Sequence, residues 1–418
     1  MAKLSVLHLS TYDNFGGSAK SARKIHQGLR RLGVDSKMLV HKKTTSDPDV
    51  DLIAKGAWKL GDLTVGGGLD RLGLHYLLYP SSFALLNHPW YRNADIVQLY
   101  NTHSGYFSHS VLPRIGKSKT LIWRLSDMWP VTGHCAYSGP CEKWKTGCSQ
   151  CPDLATYPPV PRDTTKLLWN WKRLLYARTP MHIVAPSRWI KEVAEESPLF
   201  SRYGKTLIPN GIETGIYRAL PKDHCRSILG LPQGKKTVLF LANGLDDPKK
   251  GGSFFIRAMN RLWENGFRDL QVMAVGQNSS GWGKDLQHPV WRHDLVGDDE
   301  LLAIIYNCAD IYVHGAHREN FPNTILEAMA CGVPAVAFDS GGVRELIRHR
   351  ETGYLAASSD AEDLSRGIQW LLEEEDLARK ISERCLAAIQ MDFTVEKQAG
   401  NFIELYGSLR PDQRFGSA

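Results

Sequence analysis

The chain lacks a membrane-spanning run: nowhere in its 418 residues do apolar side chains continue for the roughly 18 to 20 positions a bilayer crossing needs. It also lacks a signal-peptide pattern behind Met1, so the reading is a cytoplasmic protein. Internal repeats and low-complexity tracts are missing, which excludes solenoids and disordered scaffolds. No Asp-x-Asp motif is arranged for a catalytic divalent metal, since Asp246 and Asp247 are adjacent rather than spaced, and no cofactor is required for catalysis on this reading. Cysteine is scarce and uneven: of eight, four (Cys135, Cys141, Cys148 and Cys151) fall within 17 residues.

What is present suits two domains of roughly 200 residues each. Composition is 43% hydrophobic and 23% charged, enough for sizeable cores. The net charge of +7 hides an asymmetry: residues 1–205 hold 28 Lys and Arg against 15 Asp and Glu, a balance of +13, and the remainder carries −6. A field of that sign attracts anionic lipid, nucleic acid or a phosphate-bearing substrate. The basic residues are dispersed rather than striped, which argues against nucleic acid as the partner. The aromatic stretch "LNHPWYRN", with Trp90 and Tyr91, fits a peripheral contact with an anionic inner membrane face.

Apolar strand patterns alternate with helical ones throughout. "LSVLHLSTYD", "SKMLVHK", "ADIVQLYN", "KTLIWRLSD" and "HIVA" read as strands of the first half; "KTVLFLANG", "LQVMAVG", "ADIYVHG" and "VPAVAFD" read as strands of the second. Such alternation predicts α/β architecture with two parallel, doubly wound sheets. Ligands of these sheets sit beyond the carboxyl ends of the strands, so the loops that follow them are the candidate sites.

Gly16 and Gly17 follow the first strand and open a helix, where backbone N–H groups can approach a phosphate. They lack the third glycine of a dinucleotide fingerprint, and a tight turn without ligand is the equal alternative. Lys249 and Lys250 precede a glycine pair and a helix, so an ammonium and a helix terminus can converge on a diphosphate. In "HRENFPNTILEAMACGVPAVAF", Pro322 fits the first turn of a helix, Glu319 lies in the loop before it and Glu327 in its first two turns. Gly341 and Gly342 make another glycine turn at a strand end.

The stretch "HRENFPNTILEAMACGVPAVAFDSGGVRELI", with "ETGYLA" after it, resembles the nucleotide-sugar domain of the retaining family 4 glycosyltransferases, whose motif is glutamate, seven residues, glutamate. "GGSAKSARKIHQGLRRLG", "APSRWIKE", "IPNGI", "DPKKG" and "FTVEKQAGNFIELY" extend the resemblance over nearly the whole chain. It implies a GT-B fold, two Rossmann-like domains facing across a cleft. Residues 1–205 would bind the acceptor, 206–392 the nucleoside diphosphate sugar donor, and 393–418 would form a closing helix and tail that cross back. Glu327 would then bind the ribose hydroxyls, Glu319 the donor sugar, with Asn320, Phe321, Pro322 and Asn323 lining it. Lys250 would neutralise the leaving diphosphate, helped by Gly17, Gly341 and Gly342.

The chain departs from the family twice. Gly244 stands where the family has an arginine, leaving Lys249 as a substitute, and the strand-end histidine falls at His103 rather than near Tyr100. Asp127, at the end of the "KTLIWRLSD" strand, would orient an acceptor hydroxyl. The segment 134–152 that follows resembles a Cys-rich insertion of some exopolysaccharide transferases in the family; its four cysteines suit a structural zinc, with disulfides or thiols as alternatives and His134 as a substitute ligand. The function so implied is transfer of a sugar to a glycan or lipid-linked acceptor, against a non-catalytic nucleotide-sugar-binding subunit or an epimerase of the same fold.

Overall fold

The computed structural model of the chain describes residues 4–409. It divides into two compact units, one of residues up to Gly211 joined by those from Glu396 onward, the other Ile212–Val395.

The first unit is built on a seven-stranded parallel sheet: β1 (Ser5–Tyr12), β2 (Asp35–Lys42), β3 (Val50–Leu52), β4 (Ile96–Leu99), β5 (Thr120–Arg124), β6 (His182–Ala185) and β7 (Lys205–Leu207), in the order β3-β2-β1-β4-β5-β6-β7. Successive residues of β1 feed opposite faces. Val6 packs with Ile25 and Leu29 of the helix Gly17–Arg31, while Leu7 and Leu9 pack with Val97, Leu99 and Trp123. Burial on both faces explains why the strands read as apolar runs rather than alternations. The helix Val395–Ser408 completes the first of those faces, setting Ala399, Phe402 and Tyr406 against Val6, Ile96 and Ile122. Residues 410–418 of the expected closing segment lie outside the described residues.

The second unit carries β8 (Lys236–Gly244), β9 (Leu270–Gln277), β10 (Val290–His293), β11 (Ile311–His314), β12 (Ala335–Phe338) and β13 (Gly353–Ala356), all parallel, in the order β10-β9-β8-β11-β12-β13. Its core joins Val238, Phe240, Val272, Val313 and Val336 to Phe255, Met259 and Leu326 of the covering helices.

The division falls at Gly211, six residues past the cut at 205, because β7 pairs in parallel with β6 and holds the "TLIPNG" stretch to the first sheet. Three or four residues at a sheet edge give too short a pattern to read, and β3, β10 and β13 escaped for the same reason. Tyr91 is also not a surface aromatic: its ring is buried and its hydroxyl bonds Ser118 at 2.7 Å, and Trp90 is half-buried with the Lys37 ammonium 5.5 Å from its ring. Among the described residues no helix is long and apolar enough to cross a membrane.

Candidate functional site

In the second unit, three loops at strand carboxyl ends are locked together by backbone. After β8, Asp247 accepts the Lys249 N–H at 2.9 Å and turns the chain into a short 3-10 helix, Pro248–Lys250. Gly251 ends it at φ 72°, in the left-handed region, and an added Cβ would stand 1.9 Å from the Gly315 carbonyl oxygen that follows β11. The His317 N–H donates to the Lys249 carbonyl at 3.3 Å. After β12, Gly341 is also left-handed (φ 54°) with its missing Cβ 2.2 Å from the Glu319 carbonyl oxygen, which accepts the Gly342 N–H at 3.0 Å.

This framework brings Lys250 Nζ within 2.5 Å of Glu319 Oε1. The Glu319 carboxylate, with burial opposing, raises the Lys250 pKa above its ordinary value. Burial alone would push Glu319 up; the charge and hydrogen bond of Lys250, with His314, bring it below the usual carboxylate range. His314 was not singled out by sequence reasoning, because a histidine ending "ADIYVHG" reads as one more strand residue. It is buried, its Nδ1 faces the hydroxyls of Tyr312 (3.1 Å) and Thr324 (3.4 Å), and burial lowers its pKa to about 4. The imidazole beside the ion pair is therefore neutral at pH 7.

The two glutamates have different surroundings. Glu327, buried on the helix Asn323–Ala330, accepts the Tyr306 hydroxyl at 3.0 Å rather than a lysine, and Tyr312 stands in the field of both carboxylates. Asn320 and Phe321 are buried, the Phe321 ring 6.0 Å from that of Phe393, and Pro322 occupies the cap position immediately before the helix rather than its first turn. Lys249 does not join Lys250: its side chain is exposed, because adjacent residues of a 3-10 turn project about a third of a turn apart.

In the first unit, Gly16 (φ 81°) caps the helix that Gly17 begins. His103, on the loop after β4, and Asp127, on the loop after β5, meet at 2.9 Å between Nε2 and Oδ2, both buried. Asp127 Oδ1 accepts the Trp129 N–H at 2.9 Å, which fixes the carboxylate. A carboxylate only accepts, so His103 carries its proton on Nε2 and keeps Nδ1, 3.3 Å from the Ser104 hydroxyl, as the basic nitrogen. Trp129 and Tyr157 flank the imidazole at ring distances of 5.5 and 5.6 Å. Tyr100, the other candidate register, is a core residue bonded to Gln98 and His8.

The Cys-rich segment gathers its thiols around a cavity. Cys135, Cys141, Cys148 and Cys151 line one cavity with His134, yet among the described residues no three His, Cys, Asp or Glu side chains are arranged to hold a metal ion. The His134 Nε2 to Cys151 Sγ separation is 3.3 Å, a hydrogen bond, and burial pushes the Cys135 and Cys148 thiols up to about 12 and about 11. None of the four is joined in a disulfide. Beneath them the buried Lys172 donates to the carbonyls of Trp129 (2.6 Å) and Thr132 (3.0 Å) with its Nζ 3.5 Å from the Trp129 ring centroid, so it braces the wall against which His103 packs.

Two doubly wound parallel sheets, with their polar and charged groups gathered on strand-end loops, define a GT-B protein. Solved structures agree over almost the entire chain: sucrose-phosphate synthase from Thermosynechococcus elongatus (TM-score 0.67, 19% identity, 97% of this chain and 99% of that one) and Anabaena HepE in complex with UDP-glucose (TM-score 0.67, 16% identity, 97% and 100%). Residues 222–385 match the family described as Glycosyl transferases group 1. Similar relatives include the putative colanic acid biosynthesis glycosyl transferase WcaC of Escherichia coli K12, 30% identical over 55% of this chain and 54% of that protein. Another is the lipopolysaccharide core biosynthesis mannosyltransferase LpcC of Rhizobium leguminosarum bv. viciae, 35% identical over 53% of this chain and 64% of that protein. The match thus spans between half and two thirds of these relatives' length.

Proposed function

We propose that the protein is a retaining glycosyltransferase that moves a sugar from a nucleoside diphosphate to a hydroxyl of a glycan or lipid-linked acceptor in polysaccharide assembly. The observation that carries this reading is the Lys250–Glu319 pair, held at the junction of three strand-end loops inside the group 1 domain. A donor entering there exchanges one ion pair for two interactions. Its diphosphate takes the Lys250 ammonium, and a sugar hydroxyl donates to the Glu319 carboxylate thus released. As the bond from C1 to the diphosphate oxygen breaks, charge builds on that oxygen and Lys250 stabilises it more than in the ground state. The acceptor oxygen bonds C1 on the face the diphosphate leaves, and its proton passes to the departing diphosphate. Glu327 takes the ribose hydroxyls, Tyr306 keeping one carboxylate oxygen oriented. The acceptor is assigned to the first unit, on the His103–Asp127 pair. HepE's complex with UDP-glucose and the relatives' roles in colanic acid and lipopolysaccharide synthesis support this choice of donor and acceptor class.

The test is donor hydrolysis by the purified chain across UDP-, GDP- and ADP-sugars, native against Lys250→Ala. One donor is consumed, and the substitution slows its turnover by on the order of 10²-fold or more. Donor binding without turnover would mark a binding subunit, and a released epimer an epimerase.

A further inference from the structure

The thiols of the 134–152 segment take no part in the transfer chemistry, and the way they are held points to a ligand. Cys135, Cys141, Cys148 and Cys151 line, with His134, a cavity of about 20 Å³, room for one small guest. The backbone is shaped to put them there. Gly147 and Gln150, on either side of Cys148, have positive φ (134° and 46°), the second a costly conformation for any residue but glycine, and this turn presents Cys148 and Cys151 to the same space. An added Cβ at Gly133 would stand 3.0 Å from that of Cys148, and the Gly133 N–H donates to Cys148 Sγ at 3.1 Å. A hydrogen bond of that kind favours the sulfur as thiolate.

His134 supplies an independent observation. It is 2% exposed, and its Nδ1 lies 3.0 Å from the Pro158 carbonyl oxygen. A carbonyl only accepts, so a neutral ring carries its proton on Nδ1 and turns the lone pair of Nε2 toward Cys151 Sγ at 3.3 Å. One ring nitrogen tied to a carbonyl, with the other facing sulfur, is the orientation a metal-binding histidine needs. Charge agrees with that donor set. Three thiolates and an imidazole around a dication leave one negative charge, and the buried Lys172 sets one positive charge in the field of Cys135 and Cys148. The donors described above hydrogen-bond to one another and to backbone, Cys151 to the Asp153 carbonyl at 3.4 Å, and do not stand at coordination distances. Each cysteine sulfur turns on a single torsion, so closing on an ion to ~2.3 Å leaves the backbone where it is.

We propose that this cavity binds one zinc ion, held by His134 Nε2 and three of the four thiolates, whose protons pass to solvent as the metal enters. A closed set of nitrogen and sulfur donors suits zinc in a structural role. The ion pins His134 and through it Pro158, whose neighbour Tyr157 flanks the His103 ring, so it steadies one wall of the His103–Asp127 site. The metal binds whether or not the chain transfers a sugar. The full chain, purified without chelator, is analysed for zinc by mass spectrometry and, after unfolding in EDTA, for thiols. The expected result is one zinc per chain and all eight cysteines reactive. Cobalt exchanged into the chain shows the strong visible bands of a tetrahedral ion and sulfur-to-cobalt charge transfer. Cys148→Ser with Cys151→Ser, and separately His134→Ala, lower zinc affinity by about 10-fold or more with unchanged circular dichroism. Where a variant fails to fold, the cobalt spectrum of the native chain decides. A native chain free of zinc, fewer than eight thiols, an octahedral cobalt spectrum without charge transfer, or undiminished zinc in either variant would overturn the proposal.

Discussion

A carboxylate that holds an imidazole in one tautomer acts through the nitrogen it does not touch. Asp127 accepts from His103 Nε2, and the basic character appears at Nδ1. Asp127→Asn preserves the volume but presents an amide N–H to Nε2, which moves the ring proton to Nδ1. A protonated Nδ1 can no longer accept from and orient the attacking hydroxyl, so transfer to acceptor is expected to fall by on the order of 10²-fold in kcat, while the donor KM is expected to stay unchanged. Steady-state kinetics with donor and acceptor varied separately decide it, and an unchanged kcat would sink the role. Both residues were legible in the sequence because each ends an apolar strand, where sheets of this kind place their chemistry. His314 was not, since the same strand pattern absorbed it, and Lys249 was paired with Lys250 because sequence adjacency hides the projection of a 3-10 turn. The four cysteines gave a strong pattern, and the structure gathers them around one cavity with His134.

At the scale of the element, the second unit's loops are positioned by contacts that leave no space for a side chain. Gly341→Ala forces a Cβ into the Glu319 carbonyl and a left-handed φ on an L-residue. It is expected to cost about 1–3 kcal/mol in stability and to raise donor KM by displacing Glu319. Urea unfolding and donor titration of the same variant test both, and a stable variant with unaltered KM would show that the turn does not set the glutamate. The long apolar strands and the helices with apolar residues every third or fourth position were readable from the chain. The three- and four-residue edge strands were not, and missing β7 is what displaced the expected boundary between units.

Across the first unit, a relay of hydrogen bonds ties the closing helix to the helix Gly17–Arg31. The Tyr406 hydroxyl donates to Gln98 Oε1 (2.6 Å), and Gln98 Nε2 donates to the Tyr100 hydroxyl (2.7 Å). Tyr100 therefore donates to His8 Nδ1 (3.0 Å), His8 Nε2 to Ser36 Oγ (2.9 Å), and Ser36 to His26 Nδ1 (2.7 Å). Each hydroxyl has one proton to give, so the sequence runs in one direction and requires both histidines neutral. Burial first, then the charge of His26, puts His8 well below 6.5; burial, opposed by Asp47, brings His26 to about 4. An unfolded chain takes up these protons near pH 6.5, whereas folded His26 does not until near pH 4 and folded His8 only well below 6.5, so stability is complete above pH 6.5 and is lost as pH falls below it. The loss is on the order of 1.4 kcal/mol per pH unit for each such histidine. Urea midpoints compared at pH 7 and pH 5 measure it, and equal midpoints would contradict the neutral relay.

That closing helix also sets an order in time. The second unit is one uninterrupted stretch, Ile212–Val395, whereas the first lacks Phe402 and Tyr406 until the last part of the chain is made. On the ribosome the half translated first is thus the half finished last: its sheet waits with Val6, Ile96 and Ile122 uncovered while the later half is synthesised and closes. Nascent first units in that interval have an apolar face to shield, and a premature stop just after the second unit would leave it bare for good.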